Sequence, residues 1–168
     1  TGEQEKQVRF ILQGSVALSE MVNDLLDLSK IEAGKVDVRA EEFDVGEMFR
    51  ALRGMLRPLV EGNERLTLTF DEPLEAMKMF TDEGKVSQIL RNFISNALKF
   101  TEQGEVSVRA EALPDSASIR FSVSDTGIGI DSAHLQIVFE EFGQVENHLQ
   151  AKTKGTGLGL PLCRNLAT

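Results

Sequence analysis

Four polar residues recur near the middle of the chain at intervals of four, four and three: Gln88, Asn92, Asn96 and Lys99. Such intervals place them on one side of a helix. A solvated helix face would account for them, but asparagine is a poor interior helix former compared with glutamate, lysine or glutamine. An amide oxygen can ligate Mg²⁺ without adding charge, and a lysine can reach a phosphate. The stripe therefore predicts a place where a magnesium-bound phosphate is held.

Two glycine-rich stretches lie further along the chain. The first, DTGIGI from Asp125 to Ile130, follows a predicted strand, and its glycines let the main chain approach a flat ligand beside an acceptor carboxylate. A turn without any ligand explains this stretch equally well. The second, KGTGLGL from Lys154 to Leu160, is a glycine cluster of the kind that most often receives a phosphate. The alternative for the second stretch is a simple turn that enters a helix.

Neither stretch fits the common nucleotide-binding motifs. A P-loop requires Gly-Lys followed by serine or threonine, and both Gly-Lys pairs of this chain are followed by valine. The dinucleotide fingerprint requires G-x-G-x-x-G, whereas the second stretch reads G-x-G-x-G. A phosphate site in this chain must therefore be of another kind.

The composition restricts the class of protein. The chain has 168 residues, 41% of them hydrophobic, and a net charge of −9, so it can build a core but repels nucleic acid and anionic lipid. Its one cysteine, Cys163, excludes an internal disulfide, and two histidines are too few for a structural Cys/His zinc site. No apolar run approaches the roughly 20 residues needed to span a bilayer. We expect no nucleic-acid partner and no direct membrane contact from this segment.

The N-terminal part of the chain predicts a long helix. Apolar residues recur in steps of three and four from Val8 to Ser29, and Gly34 suits a helix C-terminus, so we predict a helix from about Glu5 to Ala33. The stripe could pack on the chain's own domain. It is long and apolar for one side of a monomer, so we expect a homodimer formed through this helix.

The remaining elements alternate between one-sided helices and one-sided strands. A short extended stretch is predicted at Val36 and Val38. A capping box at Asp44 opens a second helix, whose predicted apolar face comprises Met48, Leu52, Met55, Leu56 and Leu59. A strand, a helix and a hairpin are then predicted at residues 66–70, 86–98 and 106–123, with the hairpin turn at 114–116.

One-sided strands and helices together predict two layers, with helices on one face of a mixed sheet. The predicted fold class is α+β, a two-layer α/β sandwich carrying a long N-terminal helix. Residues 140–154 lose the pattern and are predicted to form a long loop that acts as a lid.

Taken together, these segments resemble the ATP-binding domain of sensor histidine kinases, which has the Bergerat fold. QILRNFISNALKFT resembles the family's asparagine box, DTGIGI its first glycine box, FEEFGQ its phenylalanine box and KGTGLGL its second glycine box. LLDLSKIEAGK resembles the end of the second dimerisation helix. The resemblance implies two parts, residues 1–34 from the dimerisation domain and residues 35–168 from the ATP-binding catalytic domain, with the chain shortened at both ends relative to the family.

The resemblance also implies the ligands, ATP and Mg²⁺, and a role for individual residues. Asn96 would ligate Mg²⁺, Asp125 would accept a hydrogen bond from the adenine amino group, and Phe139 with Phe142 would anchor the lid. The full set of implied nucleotide-binding residues is Asn92, Asn96, Lys99, Phe100, Asp125, Gly127, Gly129, Ile130, Phe142, Lys154, Thr156, Gly157, Leu158 and Gly159. Lys152 is a further candidate for a phosphate contact.

The implied reaction is transfer of the ATP γ-phosphate to a histidine, for relay to an aspartate of a response-regulator receiver domain. Asn92 stands where hydrolytic relatives carry a glutamate, and an amide cannot act as a general base at neutral pH. Neither His134 nor His148 lies on a dimerisation helix, so we expect the acceptor upstream of Thr1. The alternative is a nucleotide-binding regulatory module without kinase activity. Because ATP is the implied substrate, we expect the segment to lie in the cytoplasm, with membrane attachment through other regions left open.

Overall fold

The computed structural model describes residues 2–35, 37–72, 76–114, 118–145 and 155–167. In chain order its helices and strands are α1 (Gly2–Glu32), β1 (Glu41–Asp44), α2 (Val45–Leu56), β2 (Leu66–Asp71), β3 (Lys78–Thr81), α3 (Glu83–Phe100), β4 (Gly104–Ala112), β5 (Ile119–Asp125) and α4 (Gly159–Leu166). Short 3₁₀ turns cover Arg57–Leu59, Ser132–His134 and Ile137–Phe139. The two-layer α+β prediction is confirmed.

The main sheet has the strand order β2-β4-β5 and is mixed. β2 and β4 run parallel, with Leu66 paired to Gly104, and β4 and β5 form the predicted antiparallel hairpin. Part of that hairpin's turn, residues 115–117, lies outside the described residues. A connection between parallel strands must cross over the sheet, and here β3 and α3 fill it. This crossover lays α3 across the sheet.

A separate two-stranded ribbon pairs β1 with β3 in antiparallel fashion. The sequence predicted extended chain slightly earlier, at Val36 and Val38. Val36 lies outside the described residues, and Val38 is exposed and not in a strand. Each strand of the ribbon has only four residues, and charged residues outnumber apolar ones in β1, so alternation gave no signal there.

Helix α2 begins where the capping box predicts. The Asp44 side chain accepts a hydrogen bond from the backbone N–H of Glu47 at 3.0 Å. The predicted apolar face was partly wrong, because Met55 is 57% exposed and Leu59 is 59% exposed. The helix ends at Leu56 and continues as the 3₁₀ turn Arg57–Leu59, whose tighter winding carries Leu59 off the buried face.

The core lies between the main sheet and helices α2 and α3. Phe49 of α2 packs edge-on against Phe70 of β2 and Phe121 of β5, with ring centroids 5.4 and 6.2 Å apart. Leu90 and Ile94 of α3 are buried in the same cluster. The side of α3 that carries Leu90 and Ile94 therefore packs in the core, and the polar stripe is left for other contacts.

Helix α1 follows the predicted span closely and packs against α4. Leu28 is buried, but most of the large apolar residues of α1 are exposed: Val8, Phe10, Ile11, Leu12, Val16, Leu18, Val22, Leu25 and Leu26. In the described part of the chain, no helix combines the length and the apolarity needed to cross a membrane.

Candidate ATP site

Helix α3 presents the predicted polar stripe, and every member of the stripe is partly buried. Gln88 donates a hydrogen bond to the Asp27 carboxylate of α1 at 3.1 Å. The Asn92 Nδ2 atom lies 3.5 Å from both the Gly159 carbonyl oxygen and the Cys163 Sγ atom of α4. The beginning of the stripe is therefore covered by α1 and α4, and the alternative of a solvated face is wrong for these two residues.

The Asn92 contacts use the side-chain amide as a donor. Its Nδ2 donates to a carbonyl oxygen and to a sulfur, and a carboxylate at this position would offer only acceptors to both. Burial raises the pKa of the Cys163 thiol, which keeps that sulfur neutral. The Asn92 side chain thus helps to hold the start of α4.

Lys99 lies near the C-terminal end of α3, between the two glycine stretches. Its Nζ atom is 5.0 Å from the centre of the Phe100 ring and 2.8 Å from the place where a Cβ on Gly155 would stand. Partial burial lowers the pKa of Lys99, because the ammonium group loses hydration there. An anion bound beside Lys99 would compensate that loss. Asn96 lies one turn earlier and is also partly buried.

The first glycine stretch is fixed to the end of α3. The Ile128 N–H donates to the Phe100 carbonyl oxygen at 3.2 Å, and the Asp125 Oδ1 atom accepts from the Gly127 N–H at 2.9 Å. A Cβ on Gly127 would overlap the Phe100 carbonyl oxygen, so only glycine fits this close approach. Asp125 itself is exposed, and Ile130 is exposed at the end of the stretch.

Thr101 is a residue of this region that the sequence analysis missed. It is 2% exposed, and its Oγ1 atom has no hydrogen-bond partner among the described residues. The hydroxyl lies 2.8 Å from the Cβ position on Gly127, and the Asp125 Oδ1 atom lies at the same distance from that position. An unsatisfied buried hydroxyl beside the site has no signature in sequence, because threonine is common at helix ends.

The phenylalanine box is joined directly to the second glycine stretch. The Phe142 N–H donates to the Gly157 carbonyl oxygen at 3.1 Å, and a Cβ on Gly157 would stand 2.8 Å from the Phe142 Cα atom. Both residues have positive φ, 60° for Phe142 and 73° for Gly157. The Gln144 side chain adds a hydrogen bond to the Gly155 carbonyl oxygen at 2.9 Å. Gln144 was not among the predicted site residues.

The structure therefore brings most of the predicted residues into one region. Lys99, Phe100 and the first glycine stretch meet at the end of α3, and the second glycine stretch meets both Lys99 and Asn92. Leu158 is buried and anchors the start of α4. Of the predicted residues Gly129 has a positive φ of 69° with open space around it. The predicted Lys154, together with Lys152 and His148, lies outside the described residues.

The side chains of this region can be compared with the ligands that Mg²⁺ requires. Within the described ranges, no group of three or more histidine, cysteine, aspartate or glutamate side chains could hold a metal. Mg²⁺ bound to a nucleotide needs no such cage, because it takes one or two protein ligands and otherwise phosphate oxygens and waters. A partly buried amide oxygen on Asn96, one turn from Lys99, fits that mode of binding.

Residues 81–168 match the family described as histidine kinase-, DNA gyrase B- and HSP90-like ATPase. This chain belongs to that family. Among curated relatives, it is 37% identical over 98% of its length to the autoinducer 2 sensor kinase/phosphatase LuxQ of Vibrio parahaemolyticus. It is 35% identical over 89% of its length to hybrid signal transduction histidine kinase B of Dictyostelium discoideum. The chain spans 20% and 8% of those two proteins, respectively.

Solved structures agree with this assignment. The crystal structure of full-length ShkA in complex with AMPPNP is similar with a TM-score of 0.78 at 32% identity, over 99% of this chain and 34% of that one. The histidine kinase AdeS of Acinetobacter baumannii shares the fold, with a TM-score of 0.75 at 21% identity over 95% of this chain and 71% of that one. The chain thus contains an ATPase catalytic domain of the kind found in sensor histidine kinases.

Proposed function

We propose that this chain is the ATP-binding catalytic core of a two-component sensor histidine kinase. It would transfer the ATP γ-phosphate to a histidine outside these 168 residues, for relay to an aspartate of a response-regulator receiver domain. One observation carries the proposal: the partly buried ammonium group of Lys99 lies against Gly155 of the second glycine stretch, while Phe100 beside it holds the first stretch. The proposed base site and the proposed phosphate site would thus adjoin at one helix end.

The proposed roles follow from where each group stands. The Asp125 Oδ1 atom is engaged by the Gly127 N–H, so the carboxylate is oriented for its other oxygen to accept from the amino group of adenine. Gly127, Gly129, Ile130 and Phe100 would line the base pocket. Lys99 and the main chain of Thr156, Gly157, Leu158 and Gly159 would contact the phosphates, with Lys154 as a further candidate. Phe142 would hold the second glycine stretch in place.

Magnesium would be held by the amide oxygen of Asn96, and when bound it would neutralise charge on the phosphates. The residues of this chain would bind and orient ATP and exclude water from it. In the transfer, an imidazole nitrogen of the acceptor forms a bond to the γ-phosphorus, the bond from that phosphorus to the bridging oxygen breaks, and ADP leaves. Asn92 donates hydrogen bonds within the fold and offers no base to activate water, which favours transfer over hydrolysis.

The test is a calorimetric titration of ATP into the chain, with and without Mg²⁺, for the wild type, Asp125→Asn and Asn96→Ala. We expect Asp125→Asn to weaken binding about tenfold or more, because an amide has only one acceptor oxygen and cannot accept from both the Gly127 N–H and the adenine amino group. Asn96→Ala is expected to remove the gain that Mg²⁺ gives. Asp71→Asn is the matched control, since it breaks only an exposed ion pair with Arg109 on the main sheet. Wild-type protein that binds no ATP would contradict the proposal.

A phosphotransfer assay on the full-length protein distinguishes a kinase from the alternative, a nucleotide-binding regulatory module without kinase activity. Neither histidine of the chain lies on α1, and His134 is partly buried in the turn Ser132–His134. We propose that residues 1–34 belong to a dimerisation element whose partner helix carries the acceptor. Labelled, acid-labile phosphate appearing on histidine would support the kinase. ATP binding without any such label would favour the regulatory module.

A further inference from the structure

The carbonyl oxygens of three alternating glycines in the second glycine stretch each meet a donor from elsewhere in the fold. The pairs are Gly155 with the Gln144 Nε2 atom at 2.9 Å, Gly157 with the Phe142 N–H at 3.1 Å, and Gly159 with the Asn92 Nδ2 atom at 3.5 Å. Two of the donors come from the phenylalanine box and one from α3. The stretch is therefore held through its carbonyl groups.

Holding a carbonyl group also sets the direction of the next N–H group. In a planar trans peptide the C=O and the following N–H point in opposite directions, and there are no cis peptide bonds among the described residues. The bond from Gln144 to the Gly155 carbonyl oxygen thus directs the Thr156 N–H away from Gln144. In the described part of the chain this N–H meets no acceptor, whereas the Leu158 N–H is bound by the Thr156 hydroxyl at 3.2 Å.

The Gly155–Thr156 peptide also lies beside a cation. The Lys99 Nζ atom is 2.8 Å from the Cβ position on Gly155. A lysine ammonium group and an oriented backbone N–H are both donors that commonly bind phosphate oxygens. The peptide whose orientation depends on Gln144 is thus the one next to Lys99.

We propose that Gln144 is a positioning residue for the triphosphate, which acts through the Gly155–Thr156 peptide and does not touch the nucleotide. The proposal rests on the proposed function, since it presumes that ATP binds at this site. Gln144 is exposed, so we expect its hydrogen bond to the Gly155 carbonyl oxygen to add little to folding and to act by orienting this peptide. The side chain must be long enough to reach the Gly155 carbonyl oxygen and must carry a donor.

The experiment compares wild-type chain with Gln144→Met, which keeps the length of the side chain and removes the donor. Gln136→Ala is the control, because Gln136 is another exposed glutamine of the same region, and no hydrogen bond among the described residues joins its side chain to the second glycine stretch. Affinity for Mg²⁺-ATP is measured by calorimetry, affinity for adenosine by NMR titration, and the melting temperature is measured without ligand. Adenosine reports the base pocket alone, and ATP reports the base pocket and the phosphate contacts together.

We expect Gln144→Met to weaken ATP binding about three- to tenfold, with adenosine binding and the melting temperature unchanged. Gln136→Ala should match wild type in all three measurements. Unchanged ATP affinity in Gln144→Met would overturn the inference, and so would an equal loss for ATP and adenosine, which would indicate a general structural role. If the wild-type chain fails to bind ATP, the proposed function and this inference both fail. If the wild-type chain binds ATP and only Gln144→Met departs from the expected result, the inference alone fails.

Discussion

At the scale of single residues, the site contains a group that the folded chain leaves unsatisfied. The Thr101 hydroxyl is buried next to Gly127 and Asp125 without a hydrogen-bond partner among the described residues. A buried polar group without a partner costs about 1–3 kcal/mol, and replacing it by an apolar group of the same shape removes that cost. Buried polar groups without a hydrogen-bond partner are rare in native structures.

We predict that Thr101→Val raises the free energy of unfolding of the chain by about 1 kcal/mol. Valine has the shape of threonine and lacks the hydroxyl, so packing against Gly127 is preserved. The measurement is urea unfolding without nucleotide, with Thr101→Ser as the control that keeps the hydroxyl and loses the methyl group. A loss of stability in Thr101→Val would show that the hydroxyl has a partner, such as an ordered water.

Individual site residues could be predicted only where their types and spacing are unusual. Asn92, Asn96 and Lys99 were predicted because two asparagines are rare on one helix stripe, and the structure places the Lys99 Nζ atom close to Gly155. Thr101 and Gln144 are ordinary in type and position. Their significance depends on one atom lying near another after folding, which no local pattern records.

At the scale of elements, α3 is held at its start by a single carboxylate. The Asp82 side chain caps the helix by accepting from the Lys85 N–H at 3.1 Å, and it also accepts from the Arg39 N–H at 2.9 Å. The second bond ties the connection after α1 to the start of α3. The bond from the Arg39 N–H, followed by that from Lys85, lowers the pKa of Asp82 below its ordinary value of 3.8.

We predict that Asp82→Ala lowers the free energy of unfolding by about 1 kcal/mol at neutral pH, the usual effect of losing an N-cap. A carboxyl with a lowered pKa adds stability above its unfolded value of 3.8, and loses it as the pH falls through the folded pKa. The difference between wild type and Asp82→Ala should therefore shrink below about pH 4.

The measurement is urea unfolding of both proteins at a series of pH values. Asp37→Ala serves as the control, because Asp37 is exposed in the same connection. A difference that stays constant down to pH 2 would contradict the assignment of the effect to the Asp82 carboxylate.

Elements were predictable to the extent that each has one apolar side. Helix α3 and the β4–β5 hairpin show that pattern clearly, and both were found with boundaries close to those observed. β1 and β3 were missed because each pairs over only four residues, with little alternation. On α2 the predicted face included the exposed Met55 and omitted the buried Phe49, because the buried side of the helix is rotated about its axis relative to the predicted face.

At the scale of the whole molecule, α1 leaves a long apolar surface uncovered. Leu28 packs on the ATPase domain and Asp27 binds Gln88, but apolar residues from Val8 to Leu26 are exposed along much of the helix. An exposed apolar surface of this length is unusual for a monomer and marks an interaction site. A second copy of α1 offers the same apolar stripe in return, as in helical bundles.

We predict that the chain is a homodimer in solution and that Leu18→Glu shifts it toward monomer, because a charge would be buried in the apolar contact. Light scattering across a range of protein concentrations measures the change. ATP affinity should stay the same, since Leu18 lies on α1 away from α3. The control is Glu41→Gln, which changes an exposed charged residue outside α1. A wild-type chain that is monomeric at high concentration would contradict the prediction.

The parallel pairing of β2 with β4 joins parts of the chain that are far apart in sequence. The β4–β5 hairpin closes locally, but Leu66 reaches Gly104 only after the intervening chain has become compact. Asp125 belongs to the hairpin and Lys99 to the intervening chain, so the site draws on both parts of the fold. A ligand held by both residues would bind the folded chain in preference to the unfolded chain. Such a ligand would therefore stabilise folded molecules against unfolding and slow their degradation, while unfolded molecules would remain unprotected.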